Sequence, residues 1–480
     1  MLLFGITGVY SQGKTQPTFK KRVLESTEVD FLASYYQQDG SKSAVSGGIG
    51  SEKLTDGASN ISVAMPLNDD DVLTIDAGIS AYSSASSSNI NPFNASGASG
   101  RSANTGASGW DDKKATTKAA SATGPYGTPW QASTGASKTD ELVSVMANYS
   151  HSSDSRNFIW NADVSFSNEY DYTSTGFGGG IAALFNDKNT EINIKANAYL
   201  DQWRPIYPTE LHEYSKYGSI FLSQGFFSGV TVYNENGITA TEKYLPTQFK
   251  NLTITNRNSY SASFGFSQVL TKRFQFSIFF DVLQQEGLLS TPYHRIYFAD
   301  KTHFFIGQSQ YITSYESTNN SGVYKLADDI ERLPNTRFKL PIGARLNYYI
   351  NEFLVLRTYY RYYSDDWNIH AHTASVELPI KVSDKFTVFP TFRFYTQTAS
   401  KFYAPYEMHL STEQYYTSDP DLATFNTKQL GFGINYTDIF ASAKFWQFGL
   451  KNVDFRFHQY ERTDRLKASI ATIAFKFIMQ

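Results

Sequence analysis

Alternation of apolar and polar side chains with a period of two residues is the feature that most constrains this chain, and it recurs from Val29 to the C-terminus. Successive side chains of a β-strand point to opposite faces, so the pattern predicts strands with one apolar and one polar face. Four of the apolar series are Phe158, Trp160, Ala162, Val164, Phe166; Phe274, Phe276, Ile278, Phe280, Val282; Phe338, Leu340, Ile342, Ala344, Leu346, Tyr348; and Val453, Phe455, Phe457.

The apolar faces are unusually aromatic, since Phe and Tyr number 37 and 33 and aromatic residues make up 16% of the chain. No uncharged apolar run approaches the ~18 residues that a membrane helix needs. A soluble β-sandwich or propeller would bury its apolar faces against a second sheet. Aromatic faces on nearly every strand instead favour contact with lipid, and the predicted fold class is an all-β transmembrane antiparallel β-barrel.

Connections between the predicted strands alternate in length. Short turns lie at 67–71, 152–157, 186–189, 271–273, 350–352 and 383–385, and long excursions lie at about 83–139, 202–259, 286–336 and 399–427. Outer-membrane barrels have short periplasmic turns and long extracellular loops. Counting from a periplasmic N-terminus predicts about 16 strands, the last at about 466–478, and a location in the outer membrane of a Gram-negative bacterium.

Composition excludes several functional classes. The formal net charge is −3 and no basic block stands out, so no nucleic-acid partner is expected. The absence of Cys excludes thiolate metal sites and catalytic thiols. Residues 1–15 are interpreted as the remnant of a secretory signal peptide, and residues 16–480 as a single barrel domain in contact with the lipid bilayer.

The segment 83–139 is rich in Ser, Ala, Thr and Gly and repeats one tetrapeptide three times. The copies are Ser96-Gly97-Ala98-Ser99, Thr105-Gly106-Ala107-Ser108 and Thr134-Gly135-Ala136-Ser137. Three copies exceed what this composition gives by chance, although low-complexity loops also repeat themselves by slippage. The segment is either a flexible tether or a set of sites for a modifying enzyme.

Three further stretches carry a family resemblance: FLASYYQQDGSKSAVSGGIGSEKLTD at 31–56, NDDDVLTIDAGISAYSSASSSNINPF at 68–93 and NFIWNADVSFSNEYDYTSTGFGGG at 157–180. They resemble exported proteins grouped as domain of unknown function 3570. Members of that family look like Gram-negative outer-membrane barrels and are linked with a periplasmic FAD:protein FMN transferase and a small outer-membrane lipoprotein. The resemblance therefore implies these two partners and a redox role.

The same resemblance implies covalent flavin. Proteins modified by that transferase carry a motif close to Ser/Thr-Gly-Ala-Thr/Ser, with FMN esterified to the last hydroxyl. On this chain the implied sites are Ser99, Ser108 and Ser137, with FMN as the cofactor. The flavin would supply the redox chemistry while the protein places it, so the chain itself is not expected to be an enzyme.

Two alternatives from other classes stay open. One is a passive porin or solute channel whose Ser/Gly/Ala loop has no chemical role, and the other is a scaffold barrel of a surface or secretion complex. The flavin hypothesis predicts extracytoplasmic electron transfer, whereas the channel hypothesis predicts conductance.

Charged side chains on the polar strand faces are the remaining candidates. An inward set of Arg345, Arg357, Arg361, Arg393 and Arg456 is predicted, with Asp76, Asp163, Asp281 and Asp454 as balancing carboxylates. Such a strip can attract anions, but paired charges are also usual in a polar lumen. His370 and His372 point the same way on one strand, yet no third metal ligand is visible, so no metal site is predicted there.

Overall fold

The computed structural model describes residues 22–82, 140–169, 171–316 and 322–480. Residues 1–15 and the segment 83–139, with Ser99, Ser108 and Ser137, lie outside these ranges. Within the described ranges, almost all regular structure is β-strand. None of the described helices is long and apolar enough to cross a membrane.

The strands are numbered in chain order. They are β1 (Glu28–Asp39), β2 (Leu54–Pro66), β3 (Asp71–Tyr82), β4 (Asp140–Ser152), β5 (Phe158–Asn168), β6 (Tyr172–Phe185), β7 (Thr190–Trp203), β8 (Arg257–Thr271), β9 (Phe274–Gly287), β10 (Arg295–Ile296), β11 (Phe304–Gly307), β12 (Val323–Leu326), β13 (Asp329–Ile330), β14 (Thr336–Asn351), β15 (Leu354–Asp365), β16 (His370–Glu377), β17 (Ile380–Lys381), β18 (Phe386–Gln397), β19 (Phe425–Thr437), β20 (Lys444–Phe445), β21 (Phe448–Arg462) and β22 (Lys467–Met479).

Sixteen of these strands form a closed antiparallel wall: β1–β9, β14–β16, β18, β19, β21 and β22. Each pairs with the next along the chain, and β1 closes the ring by pairing with β22 from Glu28↔Ile478 to Asp39↔Lys467. The short β17 and β20 pair with wall strands close to the short turns, at one end of the barrel. Both the fold class and the strand number predicted from the sequence are confirmed. At usual strand spacing and tilt the wall is roughly 30 Å across.

The period-two pattern sets the two faces of the wall. Phe166, Ile278 and Leu346 are 52%, 45% and 42% exposed when lipid is left out of account, so they lie on the outer surface. Asp163 lies between Ala162 and Val164 on β5 and points the opposite way. Its side chain is only 7% exposed and lies near Lys195 of β7 on the inner face. The outer surface is therefore apolar and the lumen polar, as a transmembrane barrel requires.

The two ends of the barrel differ. The predicted short turns all lie at one end, together with the first residue of β1 and the last residue of β22. At the other end, four long connections that are described wholly or for the most part leave the wall: 40–53 after β1, 204–256 after β7, 288–335 after β9 and 398–424 after β18. We call the described parts of these four connections the cap. The sequence pattern did not predict the first of them.

The cap has its own small elements. They are α1 (Thr209–Tyr217), the 3₁₀ turns Ala44–Ser46, Gly218–Ser223, Gly225–Phe227, Ser309–Ser314 and Pro420–Leu422, and two two-stranded sheets, β10 with β13 and β11 with β12. Its main apolar cluster is built around Phe221, Phe227 and Ile306, each 0% exposed. Tyr244 packs edge-on against Phe221 and donates a hydrogen bond to the Ala327 carbonyl. The compact core of the described chain therefore lies in the cap.

Candidate functional site: the capped mouth and the lumen below it

Arg295 joins three of the four cap connections. Its Nε donates to Oε1 of Glu210 at 2.8 Å, and both side chains are 0% exposed. Its Nη1 reaches the Val45 carbonyl at 3.4 Å. Glu210 also accepts from the Ala327 backbone N–H at 3.2 Å, so the buried carboxylate has both a counter-charge and a second hydrogen bond. A buried ion pair needs this degree of satisfaction to offset its desolvation.

The fourth connection is bound through polar contacts as well. Tyr416 donates to Asp329 at 2.6 Å, and Thr417 donates to Glu331 at 2.5 Å. Asp329 also accepts from Arg332 of its own connection at 2.8 Å, so its carboxylate is held by both the 288–335 and the 398–424 connections. The cap is consequently one interlocked unit rather than four independent loops.

The cap crosses the mouth of the barrel. The connection 40–53 follows the first wall strand, whereas 288–335 follows the ninth, so they leave the sixteen-strand ring on opposite sides. They meet all the same, because Arg295 reaches the Val45 carbonyl and Tyr297 packs beside Gly47. Gly47 has φ +77°, and a Cβ at this position would lie 2.8 Å from the Tyr297 ring, so glycine is required there. Chain that bridges the full diameter obstructs the mouth.

A cavity of about 600 Å³ lies between the cap and the wall. Tyr36, Glu52, Arg393, Tyr395, Asp421 and Arg462 are among its lining residues. Arg462 of β21 binds the cap through an ion pair of its guanidinium with Asp421 at 2.5 Å, and it also pairs with Asp464, in the turn that follows β21, at 2.6 Å. Gln397 of β18 adds two hydrogen bonds, to the carbonyls of Asp421 at 2.9 Å and Ala423 at 2.7 Å.

Two carboxyl groups buried in the cap, those of Glu52 and Asp328, have raised pKa values. Burial raises the pKa of Glu52 to about 7, against the opposing effect of the Lys42 backbone N–H that donates to it. Burial likewise raises the pKa of Asp328 to about 7, although the Phe298 backbone N–H donates to its Oδ2 at 2.9 Å. Desolvation disfavours the ionised form in both cases. The cap therefore contains groups that titrate near neutral pH.

The predicted inward arginines all lie on lumenal register positions of β14, β15, β18 and β21. Two of them share Glu377 of β16, whose oxygens lie 2.9 Å from Arg357 and 2.9 Å from Arg456. Since β16 and β21 are not neighbours in the sheet, the contact with Arg456 crosses part of the lumen. Arg456 also binds Asp454 at 2.9 Å, so it belongs to a paired network.

The other three arginines have different surroundings. Within the described chain, no carboxylate lies at ion-pair distance from Arg345, Arg361 or Arg393. Arg345 stacks over the rings of Phe279 and Tyr359 at 5.3 Å and 5.6 Å. The Nε atom of Arg361 is buried without a hydrogen-bond partner. This side of the lumen therefore carries uncompensated positive charge.

His370 and His372 lie on the outer face of β16. The Tyr362 and Tyr360 hydroxyls lie 3.0 Å and 2.8 Å from their respective Nδ1 atoms. The two histidines thus have neighbours on the adjacent strand, and among the described residues no carboxylate lies at ion-pair distance from them.

A histidine and two carboxylates converge elsewhere, in the cap. Potential ligand atoms of His294, Glu331 and Asp419 all lie within 4.8 Å of one another. The three residues come from two different connections and are separated by 37 and 88 positions in the chain (331 − 294 and 419 − 331). No local spacing marks such a cluster, and the sequence analysis did not identify it.

Comparison with solved structures finds only remote similarity, whereas comparison of the sequence identifies a family. No curated protein matches the chain by sequence. A bacterial polysaccharide outer membrane secretin is similar at 10% identity and TM-score 0.37, over 94% of this chain and 98% of that one. OccK2 (OpdF) of Pseudomonas aeruginosa is similar at 7% identity and TM-score 0.35, over 96% and 100%. The ferric enterobactin receptor mutant of the same organism is similar at 10% identity and TM-score 0.37, over 92% and 54%.

The sequence comparison is more specific. Residues 3–471 match the family described as "Protein of unknown function (DUF3570)", which spans the cap and nearly the whole wall. The match confirms the resemblance noted in the sequence, and the chain belongs to this family.

Proposed function

We propose that this chain is an outer-membrane β-barrel that carries covalent FMN on the 83–139 connection and serves extracytoplasmic electron transfer. The observation that supports it most is the position of the three tetrapeptides in a single connection at the capped end. Tyr82 at the end of β3 pairs with Asp140 at the start of β4, so this connection leaves and re-enters the wall beside the cap. Ser99, Ser108 and Ser137 belong to it.

The chemistry needs an accessible hydroxyl. A serine oxygen attacks the FMN phosphate of FAD, a phosphoester bond forms, and AMP leaves with the electron pair of the broken diphosphate bond. The connection contains 57 residues (83 through 139), and an extended chain spans up to ~3.3 Å per residue. Because the long connections are expected at the extracellular end and Ser137 lies only three residues before Asp140, a periplasmic transferase would modify these serines in the exported chain before the barrel closes. FAD:protein FMN transferase is the proposed modifying partner, and a small outer-membrane lipoprotein is the proposed associated component.

Flavin fluorescence of the native protein tests this proposal. Chain purified from a host that has the transferase should fluoresce on a denaturing gel and show the mass of one or more FMN groups. The triple variant Ser99→Ala, Ser108→Ala, Ser137→Ala should lose both signals. The matched control Ser84→Ala, Ser86→Ala, Ser102→Ala, in the same connection but outside the last position of each tetrapeptide, should keep them. Unmodified protein from a host with active transferase would refute the proposal.

A solute channel is the second candidate, and the three arginines without carboxylate partners favour an anion-selective one. In a planar bilayer under a salt gradient, the reversal potential should then indicate preference for anions. Replacing Arg345, Arg361 and Arg393 together with Gln should reduce that preference, whereas Arg357→Gln, at an arginine already paired with Glu377, should reduce it less. Because the cap crosses the mouth, we expect a small conductance. A large, unselective conductance would contradict both the obstruction and the role of these arginines.

A further inference from the structure

His294, Glu331 and Asp419 meet where the connections 288–335 and 398–424 join. The His294 Nδ1 atom lies 3.6 Å from Glu331 Oε2, and the closest ligand atoms of all three side chains lie within 4.8 Å of one another. The backbones are also joined, since the Glu331 N–H donates to the His294 carbonyl at 2.9 Å. The convergence therefore rests on a fixed backbone as well as on side-chain positions.

The imidazole nitrogen that points into this cluster has no hydrogen-bond partner. The His294 Nδ1 atom is buried, and 3.6 Å from the carboxylate is too long for a hydrogen bond. Buried polar atoms are paired in the great majority of cases, so an unpaired one at a converging set of donors calls for a ligand. A metal ion bound to this nitrogen would satisfy it.

Glu331 is held in place by groups that leave it able to bind an ion. Its Oε1 accepts the Thr291 backbone N–H at 2.7 Å, and its Oε2 accepts the Thr417 hydroxyl at 2.5 Å. Each carboxylate oxygen has a second lone pair, so these bonds orient the group without saturating it. Partners that orient a ligand in this way are a usual feature of metal sites.

Asp419 completes the cluster from the other connection. One of its oxygens accepts the Asp421 backbone N–H at 2.9 Å, and its own N–H donates to the Thr417 hydroxyl oxygen at 3.0 Å. Thr417 is thus bonded to both Glu331 and Asp419. The ligand oxygens of Glu331 and Asp419 lie within 4.8 Å of each other, so two like charges face one another here. A divalent cation between them would offset this repulsion.

We propose that His294, Glu331 and Asp419 bind one divalent transition-metal ion, with Zn²⁺ as the representative of the class. An imidazole with two carboxylates suits Zn²⁺ and its neighbours better than Ca²⁺ or Mg²⁺, which take oxygen ligands almost entirely. Ligands held about 2.1 Å from one ion lie at most about 4.2 Å apart, so binding requires only a slight contraction of the cluster. Asp419 lines the cavity above the lumen, which leaves a coordination position open to water or a small anion.

The ion would join two connections that leave the wall four strand positions apart. It would therefore fix the cap across part of the mouth, whether or not the 83–139 connection carries flavin. Binding to the folded cap alone stabilises it by mass action.

Calorimetric titration of the full chain with Zn²⁺ tests the site. The protein should carry no histidine tag, be stripped with a chelator and be held in detergent. One Zn²⁺ per chain is expected, with affinity reduced at least about tenfold in His294→Gln and in Asp419→Asn. His303→Gln is the matched control, because His303 pairs with Glu407 at 3.4 Å between the same two connections but has no third ligand. This control should bind Zn²⁺ with unchanged affinity.

Hydrogen–deuterium exchange supplies a second measurement. If the cluster had only a structural role, Zn²⁺ would not change the exchange rates. Zn²⁺ should slow exchange in both 288–296 and 416–421 of the wild-type chain, and in neither segment of Asp419→Asn. Circular dichroism of the detergent-held variants checks that the barrel is intact. Absence of binding at millimolar Zn²⁺, or equal affinity of wild type and both ligand variants, would overturn the proposal.

Discussion

The wall and the cap remove apolar groups from water in opposite ways. On the wall, large apolar side chains point outwards: Phe166 and Phe177 are 52% and 51% exposed unless lipid covers them. In the cap, Phe221 and Phe227 are completely enclosed by protein. Among the described residues, all eleven of the largest side chains that are almost fully buried belong to the cap connections 204–256 and 288–335. One chain thus contains a lipid-dependent sheet and a smaller, self-contained core.

This difference has a consequence for stability. A side chain on the outer wall is replaced by lipid when it is shortened, because acyl chains can move into the space. A side chain in the cap is surrounded by fixed neighbours at the density of a protein interior, so shortening it leaves a void. Equal substitutions in the two regions should therefore have unequal costs.

Removal of the buried guanidinium of Arg295 at the centre of the cap should have the largest effect on stability. Arg295→Ala leaves the Glu210 carboxylate buried without its counter-charge, which typically costs about 3–5 kcal/mol. Exchange of cap amides should become much faster, while exchange of the wall strands stays slow. The double variant Arg295→Met, Glu210→Leu serves as the control, since it removes both charges and should recover most of the protection. Equal protection of the cap in Arg295→Ala and wild type would contradict the central role of this pair.

A pair of phenylalanine substitutions measures the contrast between cap and wall directly. Phe227→Ala in the cap should lower the free energy of unfolding by about 3–5 kcal/mol, since transfer and cavity terms add. Phe166→Ala on the outer wall should cost about 2 kcal/mol, which is the transfer term alone. Both values can be measured by unfolding the protein with urea in lipid vesicles. Amide hydrogen exchange, read separately for the cap and for the wall, then reports the stability of each region. Similar costs would show that lipid packs around the wall as tightly as protein packs around Phe227.

The wall could be predicted from the sequence because its rule is local. A strand shows its two faces within a few residues, as Phe158 to Phe166 do, so the strand count and the lumenal positions of Arg345 and Arg393 followed from parity. Turn lengths then gave the sidedness of the barrel. The predicted flavin sites, Ser99, Ser108 and Ser137, fall outside the described residues and stay predictions.

The cap could not be predicted, because its contacts are remote in sequence. Arg295 lies 85 positions from Glu210 and 250 positions from Val45, and neither separation leaves a periodic signal. The His294, Glu331 and Asp419 cluster is hidden for the same reason. Topology brings its members together, since the connections 288–335 and 398–424 leave the same end of one closed sheet.

Titration of Asp328 should make the cap more sensitive to pH than the wall. Its pKa is raised from 3.8 to about 7 by burial, so the folded cap keeps a proton that the unfolded chain releases. The contribution of Asp328 to the stability of the cap should therefore fall as pH rises from about 4 to about 7 and stay constant above that. At about 1.4 kcal/mol per pKa unit, the penalty above pH 7 is on the order of a few kcal/mol.

The variant Asp328→Asn removes this charge and keeps an oxygen that can accept the Phe298 N–H. It should raise protection of the amides in 296–298 and 328–330 at pH 8 and flatten their dependence on pH, after correction for intrinsic exchange rates. Part of the pH dependence of amide protection should persist in the variant, since burial also raises the pKa of Glu52. A steeper dependence in the variant would show that Asp328 is ionised in the folded cap.

The smallest effect is expected on the outer wall, at the histidine pair of β16. His372→Ala removes a contact of 2.8 Å between its Nδ1 and the Tyr360 hydroxyl, at a position that faces outwards. The expected cost is about 1 kcal/mol or less, because a single neutral hydrogen bond contributes little net stability. Zn²⁺ stoichiometry should also stay unchanged, since only the cap places an imidazole beside two carboxylates among the described residues. If the variant lost the bound Zn²⁺ while amide exchange in the cap remained normal, the ion would bind at the wall. The assignment of metal binding to the cap alone would then be wrong.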